Sequence, residues 1–208
     1  WTAMTSGTST TLRGVWGSSH TNVFAVGMDG TIVRYNGVTW TAMTSGTGLE
    51  LYGVWGMSAS DVYAVGQNGA ILRYNGSAWS AMVSNTGQLL HSVWGTSGTD
   101  IFAGGDWYIL HYDGSTWMAS WVNASLYSVW GSSATNVFAV SNSGMIWRYD
   151  GTTWTSAPSV VSGTISGVWG TSNGSVFAVG VGGALVRGVR GATVSVAAGS
   201  WAVSAQGN

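Results

Sequence analysis

Short apolar runs, rich in β-branched and aromatic residues, recur along the chain between clusters of Gly, Ser, Thr, Asn and Asp. "NVFAV" from Asn22, "DVYAV" from Asp61, "DIFAG" from Asp100, "NVFAV" from Asn136 and "SVFAV" from Ser175 hold the same place in successive stretches. Runs of this kind bounded by turn formers predict β-strands. Each is followed by a turn such as "MDG" or "QNG", then by "TIVRY", "AILRY", "YILHY" or "MIWRY". Asn or Asp before Gly suits a tight hairpin, because both positions accept positive φ. Asn36-Gly37, Asn75-Gly76, Asp113-Gly114 and Asp150-Gly151 predict the next turn, "WTAM", "WSAM" and "WMAS" the strand after it, and "LRGVWG" and "LYGVWG" a fourth. No stretch combines a 3.6-residue apolar period with helix caps. A single proline leaves the strands unbroken.

The "VWG" tryptophans, Trp16, Trp55, Trp94, Trp130 and Trp169, are spaced 39, 39, 36 and 39 residues apart, so five units are present. Four short antiparallel strands in about 40 residues make one propeller blade. Adjacent apolar pairs, Ile32 with Val33 and Ile71 with Leu72, put apolar side chains on both faces of a strand. That suits a sheet sandwiched between two neighbours. A two-sheet sandwich would alternate more strictly, and a β-solenoid needs shorter coils and leaves its ends bare. The expected fold is all-β, a five-bladed β-propeller of four-stranded antiparallel blades. Its repeat units fall near 1–39, 40–78, 79–116, 117–153 and 154–190, with 191–208 an irregular tail or surplus strand.

Six segments begin with an outer-strand tryptophan, at Trp1, Trp40, Trp79, Trp117, Trp154 and Trp201, where five blades need five. The last interval is the irregular one, so the N-terminal "WTAM" is expected to close the last blade. The segment around Trp201 and Val203 is then surplus, either a tail or a strand that joins another molecule by β-augmentation. The chain opens on Trp1 without a leader-like stretch, the reading of a mature or excised segment.

Composition narrows the function classes. Only 6% of residues are charged, and lysine is absent, against about 25% charged in a typical domain. With a formal charge of −1, neither a nucleic-acid footprint nor a polybasic membrane patch is expected. Every apolar stretch is interrupted before membrane-spanning length, which argues against membrane insertion. Ser, Thr and Asn are left to solvate the surface, as is common in secreted and cell-surface β-proteins. Zero cysteine removes disulfides and thiolate metal sites from consideration.

The motif "VWGSSxTNVFAVGxxGxIxRYDGxxW" resembles a repeat of secreted and surface-associated bacterial β-propellers, loosely grouped with the sialidase-type (BNR) and kelch-like repeats. The resemblance covers Trp1 to about Arg187. The five-unit count is similar to the sugar-binding lectins of the tachylectin-2 kind, in architecture alone. "YDGTTW" from Tyr149 resembles the Asp-box of sialidase repeats one residue short; the Asp-box is a fold element and implies no sialidase activity.

Candidate chemistry is sparse. Asp29, Asp61, Asp100, Asp113 and Asp150 of the seven acids fall on turn positions, a role that suffices for them. No two acids are singled out as a glycosidase pair. Arg34, Arg73, His111, Arg148 and Arg187 occupy one repeated position. They read either as structural guanidiniums, stacked on a neighbouring blade's Trp or bonded to loop carbonyls, or as one weak anion or sugar subsite per blade. His20, His91 and His111 show no metal-ligand spacing, and no cofactor is expected. Of 14 tryptophans, most follow the repeat and read as core between blades. Trp107, Trp121 and Trp147 do not. Trp107 and Trp121 lie in the most deviant unit, where "GGDWYILHYDG" and "SWVNASLY" are shortened, and they read either as local repacking or, with Asp106, as an aromatic platform for a sugar. The function expected is a non-catalytic, extracellular or cell-surface binding or adhesion module, lectin-like, with glycans or a surface polysaccharide as partner and weak sites added by avidity. The alternatives are a homo-oligomeric or filament-forming structural subunit joined through Trp201 and Val203 and, third, a glycoside hydrolase.

Overall fold

The computed structural model describes residues 1–157, 161–171, 174–188 and 203–205. Apart from three one-turn 3-10 segments, its regular structure is β. The first repeat supplies β1 (Leu12–Ser19), β2 (Asn22–Gly27), β3 (Ile32–Tyr35) and β4 (Trp40–Met43), and the second β5 (Leu51–Ser58), β6 (Asp61–Gly66), β7 (Ile71–Tyr74) and β8 (Trp79–Met82). β9 (Leu90–Ser97), β10 (Asp100–Tyr112), β11 (Trp117–Ser133), β12 (Asn136–Ser141), β13 (Ile146–Tyr149) and β14 (Trp154–Ala157) carry the third and fourth repeats. β15 (Ile165–Gly170), β16 (Val176–Gly180), β17 (Leu185–Gly188) and β18 (Val203–Ala205) end the chain. The sheets are β1-β2-β3-β4, β5-β6-β7-β8, β14-β13-β12-β11-β10-β9 and β15-β16-β17-β18.

Four-stranded antiparallel blades are therefore present, but the hydrogen bonding defines four sheets, which corrects the expectation of five. The cause is in the deviant repeat. The first and second repeats turn between their second and third strands through Met28–Gly30 and Gln67–Gly69, with Asp29 and Asn68 at φ 55° and 53°. The third has no such segment, and β10 runs on for 13 residues. The loop "TSGTG" that precedes β5 also has no counterpart in "SWVNASLY". β11 accordingly runs 17 residues, from the fourth strand of one repeat into the first strand of the next.

The closure expectation is corrected as well. β18 pairs with β17, matching Val186 to Ala205, Arg187 to Ser204 and Gly188 to Val203. The fourth strand of the last sheet is the chain's own C-terminal segment. Residues 1–11 form no strand, and Trp1 is fully exposed. Loop-closure entropy favours this outcome, because β18 lies a short connection from β17 whereas Trp1 lies at the far end of the chain. Val203 is thus backbone-paired within its own sheet, and Trp201 lies outside the described residues, as does most of the segment 191–208.

The turn motifs act as read. Asn36 Oδ1 accepts from the N–H groups of Val38 and Thr39, and Asp113 Oδ1 from those of Ser115 and Thr116. The glycine after each has φ near +97°, a region open to Gly at no steric cost. The tyrosine ahead of each turn donates its hydroxyl to that glycine's carbonyl, from Tyr35 to Gly37 at 2.8 Å and from Tyr112 to Gly114 at 2.9 Å. Tyr35 also packs on Trp40 at a centroid distance of 5.3 Å, across the β3-β4 pair. This explains the spacing of "RYNGVTW".

The chain divides into two compact units, Trp1–Ala103 with Leu110–Ala119, and Gly104–Ile109 with Ser120–Asn208. In the first, Phe24, Val26 and Ile32 of the first repeat are buried with Leu51, Val54, Val62 and Leu72 of the second. In the second, Phe138 and Val140 are buried with Ile165, Val168, Val176 and Val186.

Candidate functional site

One row of side chains crosses each regular sheet. In the first repeat it is Trp16, Phe24, Arg34 and Thr41; in the second Trp55, Tyr63, Arg73 and Ser80. The fourth repeat has Trp130, Phe138, Arg148 and Thr155. Alternation across paired strands puts these side chains on one face. The indole of Trp16 stacks on Phe24 at 6.4 Å, and Arg34 covers the same ring at 5.2 Å. Arg73 covers Tyr63 at 5.4 Å and Arg187 covers Phe177 at 5.7 Å. His111 replaces the arginine in the third repeat and lies flat on Phe102, 4.2 Å away and 4° from parallel.

Four of the repeated basic groups also have a side-chain hydrogen-bond partner. Arg34 Nε donates to Asn22 Oδ1 at 2.8 Å, Arg73 Nε to Asp61 Oδ1 at 2.8 Å and Arg148 Nε to Asn136 Oδ1 at 3.0 Å. His111 Nε2 lies 2.7 Å from Asp100 Oδ1, and Thr96 donates to the other oxygen of Asp100. The amides of Asn22 and Asn136 donate in turn to Ser18 and Ser132. The structure thus gives Arg34, Arg73, His111 and Arg148 a like side-chain partner within each repeat, and Arg34 also donates to the Tyr74 hydroxyl of the next repeat at 3.3 Å. Burial first, and then the charge of Asp61, pushes the Tyr63 phenol up to about 12, while the Asp61 contact raises Arg73 above its ordinary value.

Glu50, Asp113 and Asp150 are also engaged locally. Glu50 is held below the usual carboxylate range by Arg13, whose Nε lies 2.8 Å away, and then by Tyr52. Turn N–H groups from Thr116 and Ser115 hold Asp113 down to about 2, and those of Thr153 and Thr152 hold Asp150 low in the same way. Asp29 sits at the tip of its turn. Among the described residues no three His, Asp or Glu side chains gather as a metal site. No helix among them is long and apolar enough to cross a membrane.

The deviant hairpin looks different. Trp107 has φ +68°, a conformation rare for a bulky side chain and worth about 1–3 kcal/mol of strain. Asp29, Asn68 and Asn85 are the other non-glycine residues at positive φ among those described, types that tolerate it. Trp107 and Trp121 are both exposed, and Asp106 is half-buried beside Trp107. β11 alternates here, with Trp121 and Asn123 outward and Val122 and Ala124 buried. β10 and β11 are neighbours in the sheet. Asn123 is a polar candidate that the sequence reading passed over; the period-two alternation of "WVNA" was the available signal. Trp147, the third out-of-register tryptophan, is half-buried in β13 opposite Ala139.

No family model matches the chain, and no curated protein matches it. Solved structures do. The chain is similar to YCF48 bound to D1 peptide at 17% identity and a TM-score of 0.71, covering 90% of this chain and 66% of that one. It is similar to the WD40 β-propeller domain of Doa1 at 14% identity and a TM-score of 0.74, covering 86% of this chain and 64% of that one. YCF48 from Cyanidioschyzon merolae gives 15% identity and a TM-score of 0.67, with 93% of this chain and 72% of that one covered. The chain thus spans a little under two thirds of the first two. At these identities the likeness defines the fold: this is a β-propeller protein of the four-stranded, antiparallel-blade kind.

Proposed function

We propose that the chain is a non-catalytic binding module whose ligand seats on the deviant hairpin of the third repeat, with glycans as the ligand class. The exposed Trp107, in a strained backbone conformation beside Asp106 and in the same hairpin region as exposed Trp121 and Asn123, carries this reading. Flat exposed indoles offer apolar area to the C–H face of a sugar ring, and a carboxylate and an amide beside them suit its hydroxyls. Strain kept at an exposed position points to use. The local engagement of the acids supports the non-catalytic part. A surface solvated by Ser, Thr and Asn, without lysine, supports an extracellular or cell-surface location.

A polypeptide partner is the second reading, favoured by the likeness to YCF48 bound to a peptide. A glycan array, followed by calorimetry on its hits beside a panel of extended peptides, tests both. Trp107→Ala and Trp121→Ala should each weaken glycan binding by about tenfold, about 1.4 kcal/mol, with the thermal unfolding curve intact. Peptide binding lost in the same two variants would replace the ligand class. Glycan binding unchanged in both would sink the site.

A further inference from the structure

Arg34 and Arg73 hold the same place in the first and second repeats, but their charges are met differently. Arg73 Nε donates to a carboxylate, Asp61 Oδ1, at 2.8 Å. His111 of the third repeat likewise faces Asp100, at 2.7 Å. Arg34 Nε donates at 2.8 Å to Asn22 Oδ1, a neutral amide that is buried. No carboxylate among the described residues lies within ion-pair distance of Arg34.

The uncompensated cation is held in place. The guanidinium carbon of Arg34 lies 5.2 Å from the ring centre of Phe24 and 5.8 Å from that of Tyr74 in the next repeat. Nη1 donates to the Tyr74 hydroxyl at 3.3 Å. A guanidinium carries five N–H donors in a fixed fork. With Nε and one N–H of Nη1 engaged, the other N–H of Nη1 and both of Nη2 have no acceptor among the described residues. Arg34 is half-buried and lines a groove of about 600 Å³ between the first and second repeats. Thr41, Thr44 and Ser77 line the same groove, are exposed, and engage their hydroxyls with nothing else among the described residues. Met43 and the largely buried Trp79 give it an apolar side.

We infer that this groove takes the carboxylate of an acidic sugar, a hexuronic acid residue, on the open edge of Arg34. A planar carboxylate accepts two parallel N–H···O bonds from a guanidinium fork. The hydroxyls of Thr41, Thr44 and Ser77 suit those of a pyranose ring, and Met43 and Trp79 its C–H groups. In the second repeat Asp61 already occupies Arg73, so the same repeated position is structural there and a binding position in the first. The choice of a sugar rests on the glycan class proposed above. The anion site rests on Arg34 and shares no residue with the Trp107 hairpin, so either can fail without the other.

The chain has six arginines, so their Nε–H signals in an isotope-labelled sample read the site while glucuronate, glucose and acetate are titrated at neutral pH. The Arg34 signal should shift saturably with glucuronate, bound about tenfold more tightly than glucose or acetate, while the Arg73 signal stays in place. Asn22→Asp should weaken glucuronate about tenfold by giving Arg34 the carboxylate that Arg73 has. The fold accommodates this change, because Thr96 donates to Asp100 at the positions where Ser18 accepts from Asn22. Thr41→Val and Ser77→Ala should weaken glucuronate and leave acetate unchanged. Glucuronate bound equally by wild type and Asn22→Asp overturns the anion site, as does an Arg73 shift as large as that of Arg34. Acetate bound as tightly as glucuronate overturns the sugar, as does tighter binding of a glutamate-rich peptide.

Discussion

The indole of Trp16 lies where a side chain on Gly56 would begin: a Cβ built on Gly56 falls 2.8 Å from the ring carbon Cη2. The same relation joins Trp55 to Gly95 and Trp130 to Gly170, forty residues apart in each case. The glycine of "VWG" is thus the seat for the tryptophan of the repeat before it.

Gly56→Ala is expected to destabilise the protein by about 1–3 kcal/mol, the range for overpacking a filled site. The new methyl meets both the indole and the Asp61 carbonyl oxygen, also at 2.8 Å. Chemical denaturation measures the loss. Trp16→Ala combined with Gly56→Ala should cost less than the two losses added; strict additivity would deny the contact.

Asp61 and its counterpart Asn22 accept the same guanidinium hydrogen bond at the same 2.8 Å. Asp61→Asn should therefore fall within about 1 kcal/mol of wild type, because half-exposed ion pairs add little beyond the hydrogen bond. Asp61→Ala should cost about 1–3 kcal/mol by leaving Arg73 without its acceptor. Equal losses in the two variants would show that the bracket is not what holds Arg73.

Asp113 and Asp150 titrate below their ordinary range because turn N–H groups bond the ionised form. A carboxyl lowered on folding stabilises the fold above its unfolded value and loses that contribution as pH falls through the folded one. For Asp113 the window runs from 3.8 down to about 2. Asn36 and Asn75 make the same turn bonds without titrating. Asp113→Asn with Asp150→Asn should keep the melting temperature at neutral pH and flatten its decline in that acid window. A melting curve against pH that matches wild type throughout would remove these turns from the acid response.

Trp107→Gly should relieve the positive φ and hold or raise the melting temperature, since Gly populates that region freely. The same variant should lose ligand binding. A clear drop in stability would mean that the indole is packed structurally, as local repacking after the shortened turn would require.

Local chemistry was legible along the chain. The strands and the Asn-Gly and Asp-Gly turns follow from side-chain types and from spacing within a single repeat, because each contact closes within a few residues. The repeated arginine was legible as a position, but the ring beneath it was not: Arg34 lies over Phe24 in the adjacent strand of its own repeat, where a neighbouring blade's Trp was expected. Its acceptor, Asn22, was not legible, being twelve residues away in the adjacent strand. Asn123 also escaped, because an outward polar residue announces itself only once the register is fixed. How many sheets the repeats form turned on whether β10 and β11 run through their shortened turns. Which strand completes the last sheet turned on chain connectivity, with β18 near and Trp1 far. Sequence period determines what each repeat is. Only tertiary packing decides which faces find a neighbour, because Val15 and Val54 sit in the same local motif and differ solely in what lies against them.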